Sequence, residues 1–319
     1  MGFTPPPPCV SGVSLVIPCY NEETTLPFFY QEACTVLDTY IDGSKTCEFI
    51  FIDDGSTDDT LAVLKNIVAQ DSRVHYISFS RNFGKEAALL AGLQATHGQI
   101  VVTLDADLQD PPSLIPQMLE VVTSGEFDCA GTRRVSRKGE PPIRSFFARR
   151  FYSIMAKIAD IEVVDGARDF RLMNRKYVDA ILSLPERSRF SKGIFPWIGF
   201  KTKWFEYENI QRIAGNTKWS FWKLLLYSFD GIIAFSSKPL AIASIMGILL
   251  FLISFVFICF IVIRRMVWGD PVDGWASTAC IILFCSGIQL FTTGILGQYL
   301  AKTYTEVKQR PQFVIREAK

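Results

Sequence analysis

Asp105 and Asp107, in the segment Leu104-Asp105-Ala106-Asp107-Leu108-Gln109-Asp110-Pro111, are the residues best placed to do chemistry. Two carboxylates two residues apart in an extended segment point to the same side. Hard oxygen ligands of this kind hold Mg²⁺ or Mn²⁺ against a diphosphate. A bare Asp-x-Asp also suits a polar turn that caps a helix, so neighbouring signals decide between the two readings. A second acidic pair, Asp53-Asp54, precedes Gly55-Ser56-Thr57-Asp58. Acceptors there suit a base N–H or ribose hydroxyls, whereas those at 105 and 107 suit a metal. Four carboxylates around one crevice repel each other unless a cation or a donor-rich ligand enters. A turn and helix cap accounts for Asp58 and Asp59 better than for the pair before Gly55.

Both acidic pairs need strand ends to position them. The apolar run 100–103 predicts a buried strand, and Pro111-Pro112 suits the first turn of a helix. Further strands are expected at 14–17, 48–52 and 74–79, with helices over 24–40, from about 61 to 68, and over 85–96. Ser56 followed by Asp59 resembles a helix-capping arrangement. The alternation predicts an α/β fold with a parallel sheet covered by helices, whose strand ends face a ligand crevice. The fingerprint Gly-x-Gly-x-x-Gly is missing, and Gly84-Lys85 lacks the upstream glycine of a P-loop. A nucleotide site here rests on acidic strand ends.

Charge and cysteine usage exclude other classes. Lys and Arg total 33 against 32 Asp and Glu, so nothing points to nucleic acid. The 8 Cys form no Cys-x-x-Cys and only 2 His are present, which argues against zinc. Cys19, Cys34, Cys47 and Cys129 are expected to be reduced in a cytosolic domain.

Residues 239–263 and 276–300 contain no charged side chain. Each would form a helix roughly 35 Å long, enough to cross a hydrocarbon core of about 30 Å. Asp270, Pro271, Asp273 and Gly274 suit the turn between them, so a transmembrane helical hairpin is expected. Lys302, Lys308, Arg310, Arg316 and Lys319 favour a cytoplasmic tail at 301–319, although Arg264 and Arg265 would then lie outside. Residues 1–12 read as a flexible lead without a signal peptide, and Pro6 breaks a myristoylation pattern. Residues 143–161 and 219–235 combine aromatic and basic residues as interfacial helices do.

The pieces Val16-Ile-Pro-Cys-Tyr-Asn-Glu-Glu23, Ile52-Asp-Asp-Gly-Ser-Thr-Asp58, Arg81-Asn-Phe-Gly-Lys-Glu86, Asp105-Ala-Asp-Leu-Gln-Asp-Pro111 and Asp169-Phe-Arg-Leu-Met173 occur in this order. Gly297-Gln-Tyr-Leu and Lys308-Gln-Arg-Pro311 follow. Together they resemble the polyisoprenyl-phosphate group of family 2 glycosyltransferases, which includes dolichyl-phosphate mannose synthases and bactoprenol glucosyltransferases. The resemblance implies a GT-A fold, a sugar-nucleotide donor, a divalent metal and a lipid phosphate acceptor. It is strongest to the bactoprenol branch, whose donor is UDP-glucose. The mannose-synthase branch has Gly where this chain has Asp169, within Asp165-Gly-Ala-Arg-Asp-Phe-Arg171, so both Asp165 and Asp169 are candidates to face the acceptor. The implied organisation is a catalytic domain over 13–215, a juxtamembrane amphipathic segment over 216–238, the two spans, and the tail.

The expected reaction moves a hexose, glucose by resemblance, from UDP to undecaprenyl phosphate at the cytoplasmic face of the inner membrane, with inversion. Asp105 and Asp107 are assigned to Mg²⁺ or Mn²⁺ and the diphosphate. Gln109 either contacts metal or sugar or only opens the helix. Asp53, then Asp54, are the candidates for uridine, with Pro18, Tyr20 and Glu22 where the base would stack. Asp169 is the candidate catalytic carboxylate, its alternative being a salt bridge to Arg168 or Arg171. Arg133, Arg168, Arg171 and Lys218 are candidate phosphate clamps, Arg134 is read as a surface residue, and Lys85 and Asp165 complete the substrate-binding set. Residues 212–218 resemble the family's acceptor loop, with Gly215 as its bend. A homo-oligomer is compatible with all of this. Two competing readings carry less. A processive polysaccharide synthase would show Gln-x-x-Arg-Trp and more spans, and a non-catalytic sugar-binding scaffold would not need an intact Asp105 and Asp107.

Overall fold

The computed structural model describes residues 12–40, 46–134, 164, 166–208, 233, 236, 238–268 and 274–319. Asp165, Lys218, the 143–161 segment, the acceptor loop and all but position 233 of the 219–235 segment lie outside these residues.

The first half alternates strand and helix. It runs β1 (Gly12–Cys19), α1 (Leu26–Tyr40), β2 (Thr46–Asp53), α2 (Thr60–Gln70), β3 (Val74–Phe79), α3 (Lys85–Ala95) and β4 (Ile100–Thr103). β1 pairs in parallel with β2 and β4, and β2 with β3. Their apolar runs are continuous because helices cover both faces. Phe49 and Phe51 point into the core beneath α1 and α2, and Ile50 and Ile52 point into the core beneath α3. Burying each phenyl ring contributes about 2–3 kcal/mol. α3 lies close on β1 because residue 92 is glycine: a Cβ there would sit 2.2 Å from Val16 Cγ1.

The second half turns the sheet mixed. After a 3₁₀ turn at Pro112–Leu114 come α4 (Ile115–Thr123), β5 (Cys129–Arg134), β6 (Ala167–Asn174), α5 (Arg175–Ser183), α6 (Ser191–Trp197) and β7 (Thr202–Tyr207). β6 runs antiparallel to both β4 and β5, and β7 runs parallel to β5. Asn174 starts α5 by accepting the Tyr177 N–H at 2.9 Å. With the C-terminal strand β8 (Ile315–Ala318), the order is β7-β5-β6-β4-β1-β2-β3-β8, so the expected parallel sheet is the β4-β1-β2-β3 part of it.

Two long helices follow, α7 (Lys238–Trp268) and α8 (Trp275–Lys308). With 31 and 34 residues they are about 46 and 51 Å long, longer than the 239–263 and 276–300 runs that predicted them. Among the described residues, α7 is the helix long and apolar enough to cross a membrane, over Lys238–Phe257 with mean hydropathy 2.7. Leu252, Val256 and Phe260 of α7, and Leu290, Phe291 and Leu300 of α8, are exposed. The tail is not free. Gln309 adopts left-handed geometry (φ 50°) and ends α8, Phe313 stacks on Phe79 at 5.0 Å, and β8 (Ile315–Ala318) pairs antiparallel with β3.

Candidate active site

The chain leaves β4 at Thr103 and enters a tight acidic loop. Leu108 is held at φ 55°, a strained conformation for a leucine, and Asp107 Oδ1 accepts the Gln109 N–H at 3.1 Å. Asp105 follows β4 with its side chain 22% exposed, and β6 brings Asp169 beside it because β6 runs antiparallel to β4. Thr103 fixes the register by donating its hydroxyl to the Asp169 carbonyl. Between the two carboxylates stands Lys85, the first residue of α3. Its Nζ lies 2.7 Å from Asp105 and 2.6 Å from Asp169.

The three groups tune one another. Burial raises the Asp169 carboxyl, but Lys85, with Lys192 adding to it, outweighs burial and holds the group below the usual carboxylate range. Burial also raises Asp105, and there Lys85 and Arg168 offset it only in part, so Asp105 is the more easily protonated of the two. Burial works against the Lys85 ammonium, yet the two carboxylates overcome it and raise its pKa. Lys85 is therefore a fixed cation.

Asp54 places that cation. Its carboxylate accepts the N–H groups of Phe83 (2.7 Å) and Gly84 (3.0 Å), which form the turn into α3. Gly55 makes room for the same turn: at φ +65° it lies so close that a Cβ would be 2.3 Å from the Arg81 carbonyl carbon. Asp53 is buried beside it and accepts the Ser56 N–H (2.9 Å) and the Ser78 hydroxyl (2.7 Å). Both residues of the pair proposed for uridine thus hold the loops that shape the crevice. Pro18 is the penultimate residue of β1, opposite Ile52. Tyr20 and Glu22 follow in a loop joined to the next one, where the Glu22 N–H donates to Thr60 Oγ1 at 2.8 Å and Asn21 Oδ1 accepts the Thr57 N–H at 2.8 Å.

The candidate clamps separate. Arg168 faces the crevice, forked onto Asp110 at 2.9 and 3.1 Å and lying 4.0 Å from Asp105. Asp110 is fully buried and also accepts the Tyr207 hydroxyl. Arg133 instead pairs with Glu206 on β7. Arg171 is buried with its guanidinium 4.4 Å from the Phe195 ring and 4.9 Å from the Trp204 ring. Arg134, read from sequence as a surface residue, donates to Gln109 Oε1 at 2.9 Å. Asp110, Tyr207 and Arg134 were absent from the sequence-derived set. Only Asp110 had a local signal, its place in the acidic loop.

Asp105 and Asp107 form a hard donor pair, and Mg²⁺ commonly takes one or two carboxylates together with substrate phosphates. Among the described residues no three His, Cys, Asp or Glu side chains converge to hold an ion. Carboxylate oxygens such as those of Asp105 and Asp107 have the hard-donor chemistry that suits a divalent cation also bound by phosphate oxygens.

Acidic residues at the carboxyl ends of the parallel strands of a mixed sheet, without a glycine-rich phosphate loop, match the arrangement of a GT-A-like glycosyltransferase. The model for glycosyl transferase family 2 matches residues 14–182, and the chain belongs to that family. It is 40% identical to the putative glycosyltransferase CsbB of Bacillus subtilis over 306 residues, covering 96% of this chain and 92% of the relative. It is 38% identical to the prophage bactoprenol glucosyl transferase homolog of Escherichia coli over 307 residues, covering 96% and 99%. Among solved structures, glucosyl-3-phosphoglycerate synthase from Mycobacterium tuberculosis, in complex with Mn²⁺, UDP-glucose and phosphoglyceric acid, overlaps loosely. The TM-score is 0.46 at 21% identity, covering 70% of this chain and 78% of that one.

Proposed function

We propose that this glycosyltransferase moves glucose from UDP-glucose to the phosphate of undecaprenyl phosphate at the cytoplasmic face of a membrane, with α7 and α8 as its hairpin anchor. Relatives named as bactoprenol glucosyl transferases, similar over nearly their whole length, support the glucosyl group and the lipid acceptor. The observation that carries the reading is Lys85 shared between Asp105 and Asp169.

Asp105 and Asp107 would hold Mg²⁺ or Mn²⁺, which supplies positive charge against the donor diphosphate when bound. Lys85 adds a second, permanent cation. Arg168, oriented by Asp110, presents guanidinium N–H groups beside Asp105, where a phosphate oxygen can accept them. The acceptor phosphate is already an anion and needs no strong base. Its oxygen forms a bond to the anomeric carbon, the bond to UDP breaks, and UDP leaves with the electron pair, inverting the centre. Asp169 stays ionised and opposes the positive charge that grows at that carbon. This geometry fits an orienting carboxylate better than a proton donor.

The test is transfer by purified full-length protein from UDP-glucose, UDP-N-acetylglucosamine or GDP-mannose to undecaprenyl phosphate, with and without Mg²⁺ or Mn²⁺. A glucosylated lipid phosphate is expected from UDP-glucose with the ion present. No lipid product from any donor would refute the proposal.

A further inference from the structure

The motif Lys308-Gln-Arg-Pro311 plays no part in the transfer chemistry, yet it closes a cavity. Where Gln309 ends α8, the chain doubles back against the loop between α5 and α6 and encloses about 470 Å³. Arg187, Arg189, Lys308 and Arg310 line it, together with one carboxylate, Glu86, and with Phe83 and Tyr304. None of these four cations has a carboxylate partner within 4.0 Å among the described residues.

The nearby acids are Glu86, Glu186 and Glu306. Glu306 accepts the backbone N–H groups of Arg187 (3.0 Å) and Ser188 (2.9 Å), and Glu86 accepts that of Ser191 at 3.0 Å. Arg189 donates to the carbonyls of Leu184 (3.2 Å) and Ile181 (3.3 Å) at the end of α5. Burial lowers its pKa, and Glu86 and Glu186 nearby offset that only in part. Arg187 donates to the Arg310 carbonyl, and Lys308 rests on Tyr304, 3.1 Å from its hydroxyl. Four cations against one carboxylate on the wall leave the cavity with an excess of positive charge, which an anion would offset.

Depth along α8 bears on the source of that anion. The uncharged run ends at Leu300. Tyr304 lies about 6 Å farther along the helix axis, within the head-group layer if α8 spans as proposed above, and Lys308, about 12 Å farther, sits just outside it with its long side chain able to reach back. We infer that this cavity is a phosphate-binding site, separate from the donor crevice, that takes the phosphate of an anionic lipid head group. Arginine forks suit such an oxyanion, and membrane-anchored phosphate reaches the end of α8 without leaving the interface.

The test uses full-length protein in maltoside micelles, titrated with phosphatidylglycerol and, separately, with inorganic phosphate, by calorimetry. Arg189→Gln/Arg310→Gln and Lys308→Gln are run in parallel, with UDP affinity as a check on the fold. Wild type is expected to bind phosphatidylglycerol about tenfold more tightly than the double variant, with Lys308→Gln between them. Inorganic phosphate is expected to bind weakly. Equal binding of both ligands, lost in the double variant, would keep the phosphate site and assign it to soluble phosphate. Binding that is absent, or the same in wild type and variants with UDP affinity retained, overturns the inference. Loss of UDP binding by wild type would count against the proposed donor and leave the lipid titration readable.

Discussion

Lys85 and Asp169 face each other across 2.6 Å, one from the first turn of α3 and the other from an antiparallel strand. The pair links the parallel half of the sheet to the mixed half and fixes the ionisation of the carboxylate at the crevice. Replacing Lys85 with Met removes the cation and leaves Asp169 and Asp105 to repel each other. Burial, which raises both groups, then goes unopposed by Lys85. Transfer is expected to fall about 10²–10³-fold. The Asp169 carboxyl should rise from its depressed position, so the acid limb of the pH–rate profile moves to higher pH. An unchanged limb in Lys85→Met would show that the pair does not set the ionisation of the site.

Asp105→Asn and Asp107→Asn are each expected to nearly abolish transfer while the protein still inserts into membranes. Asp105→Asn also removes one of two carboxylates from Lys85, so it should bind UDP with weaker dependence on Mn²⁺. Titration of each variant with UDP, with and without the ion, separates lost metal from lost fold. Wild-type turnover in either variant would refute the metal assignment.

How much of this could be read beforehand depended on the range of each contact. β1 to β4 were legible because strands buried on both faces leave continuous apolar runs, and the Asp105-x-Asp107 spacing survives any packing. β5 (Cys-Ala-Gly-Thr-Arg-Arg) and β6 (Ala-Arg-Asp-Phe-Arg-Leu-Met-Asn) carry charge at the crevice end and gave no such signal. The roles of the arginines followed from that gap. Only the placement of β6 between β4 and β5 tells Arg168, forked on Asp110, from Arg171, enclosed by Phe195 and Trp204. The acidic pair at 53 and 54 was visible, but its work within the protein was not, because its partners Ser78 and Gly84 lie on later elements.

Gly55→Ala is expected to disturb the site through the backbone. A methyl group there meets the Arg81 carbonyl carbon at 2.3 Å, in a conformation (φ +65°) that alanine adopts with strain. A loss of about 1–3 kcal/mol is expected, together with weaker UDP binding because the displaced 81–84 turn carries Lys85. Denaturant melts and UDP titration of the same sample check both. Full stability with full affinity would mean that the turn can move at no cost.

Acid sensitivity should come in part from Asp71, which accepts the Tyr30 hydroxyl at 2.5 Å and pairs with Arg73 at 2.8 Å. Burial raises this carboxyl, but Arg73 and Tyr30 outweigh burial and lower it to about 2. A folded value below the ordinary unfolded value of about 3.9 stabilises the protein above that pH, by on the order of 2 kcal/mol. That contribution is lost as pH falls from about 4 toward 2. Asp71→Asn should therefore lower Tm at pH 7 and have little effect near pH 2. An equal loss at both values would show that Asp71 acts through shape and not through charge.

Removing residues 309–319 tests whether the tail is part of the catalytic domain. α7 and α8 remain, so membrane insertion should be unchanged. The sheet loses β8, however, and β3 becomes an open edge with Phe79 stripped of its stacked partner Phe313. Unpaired edges of this kind favour association between chains. The loss of the Gln312 side chain, which donates to the Glu186 carbonyl at 3.0 Å, also loosens the loop that leads to α6. The shortened protein is expected to melt several degrees lower and to aggregate in detergent, while wild type stays dispersed. Size-exclusion chromatography and thermal melts provide the comparison. A shortened chain that is as stable and as dispersed as wild type would show that β8 merely rests on the sheet edge.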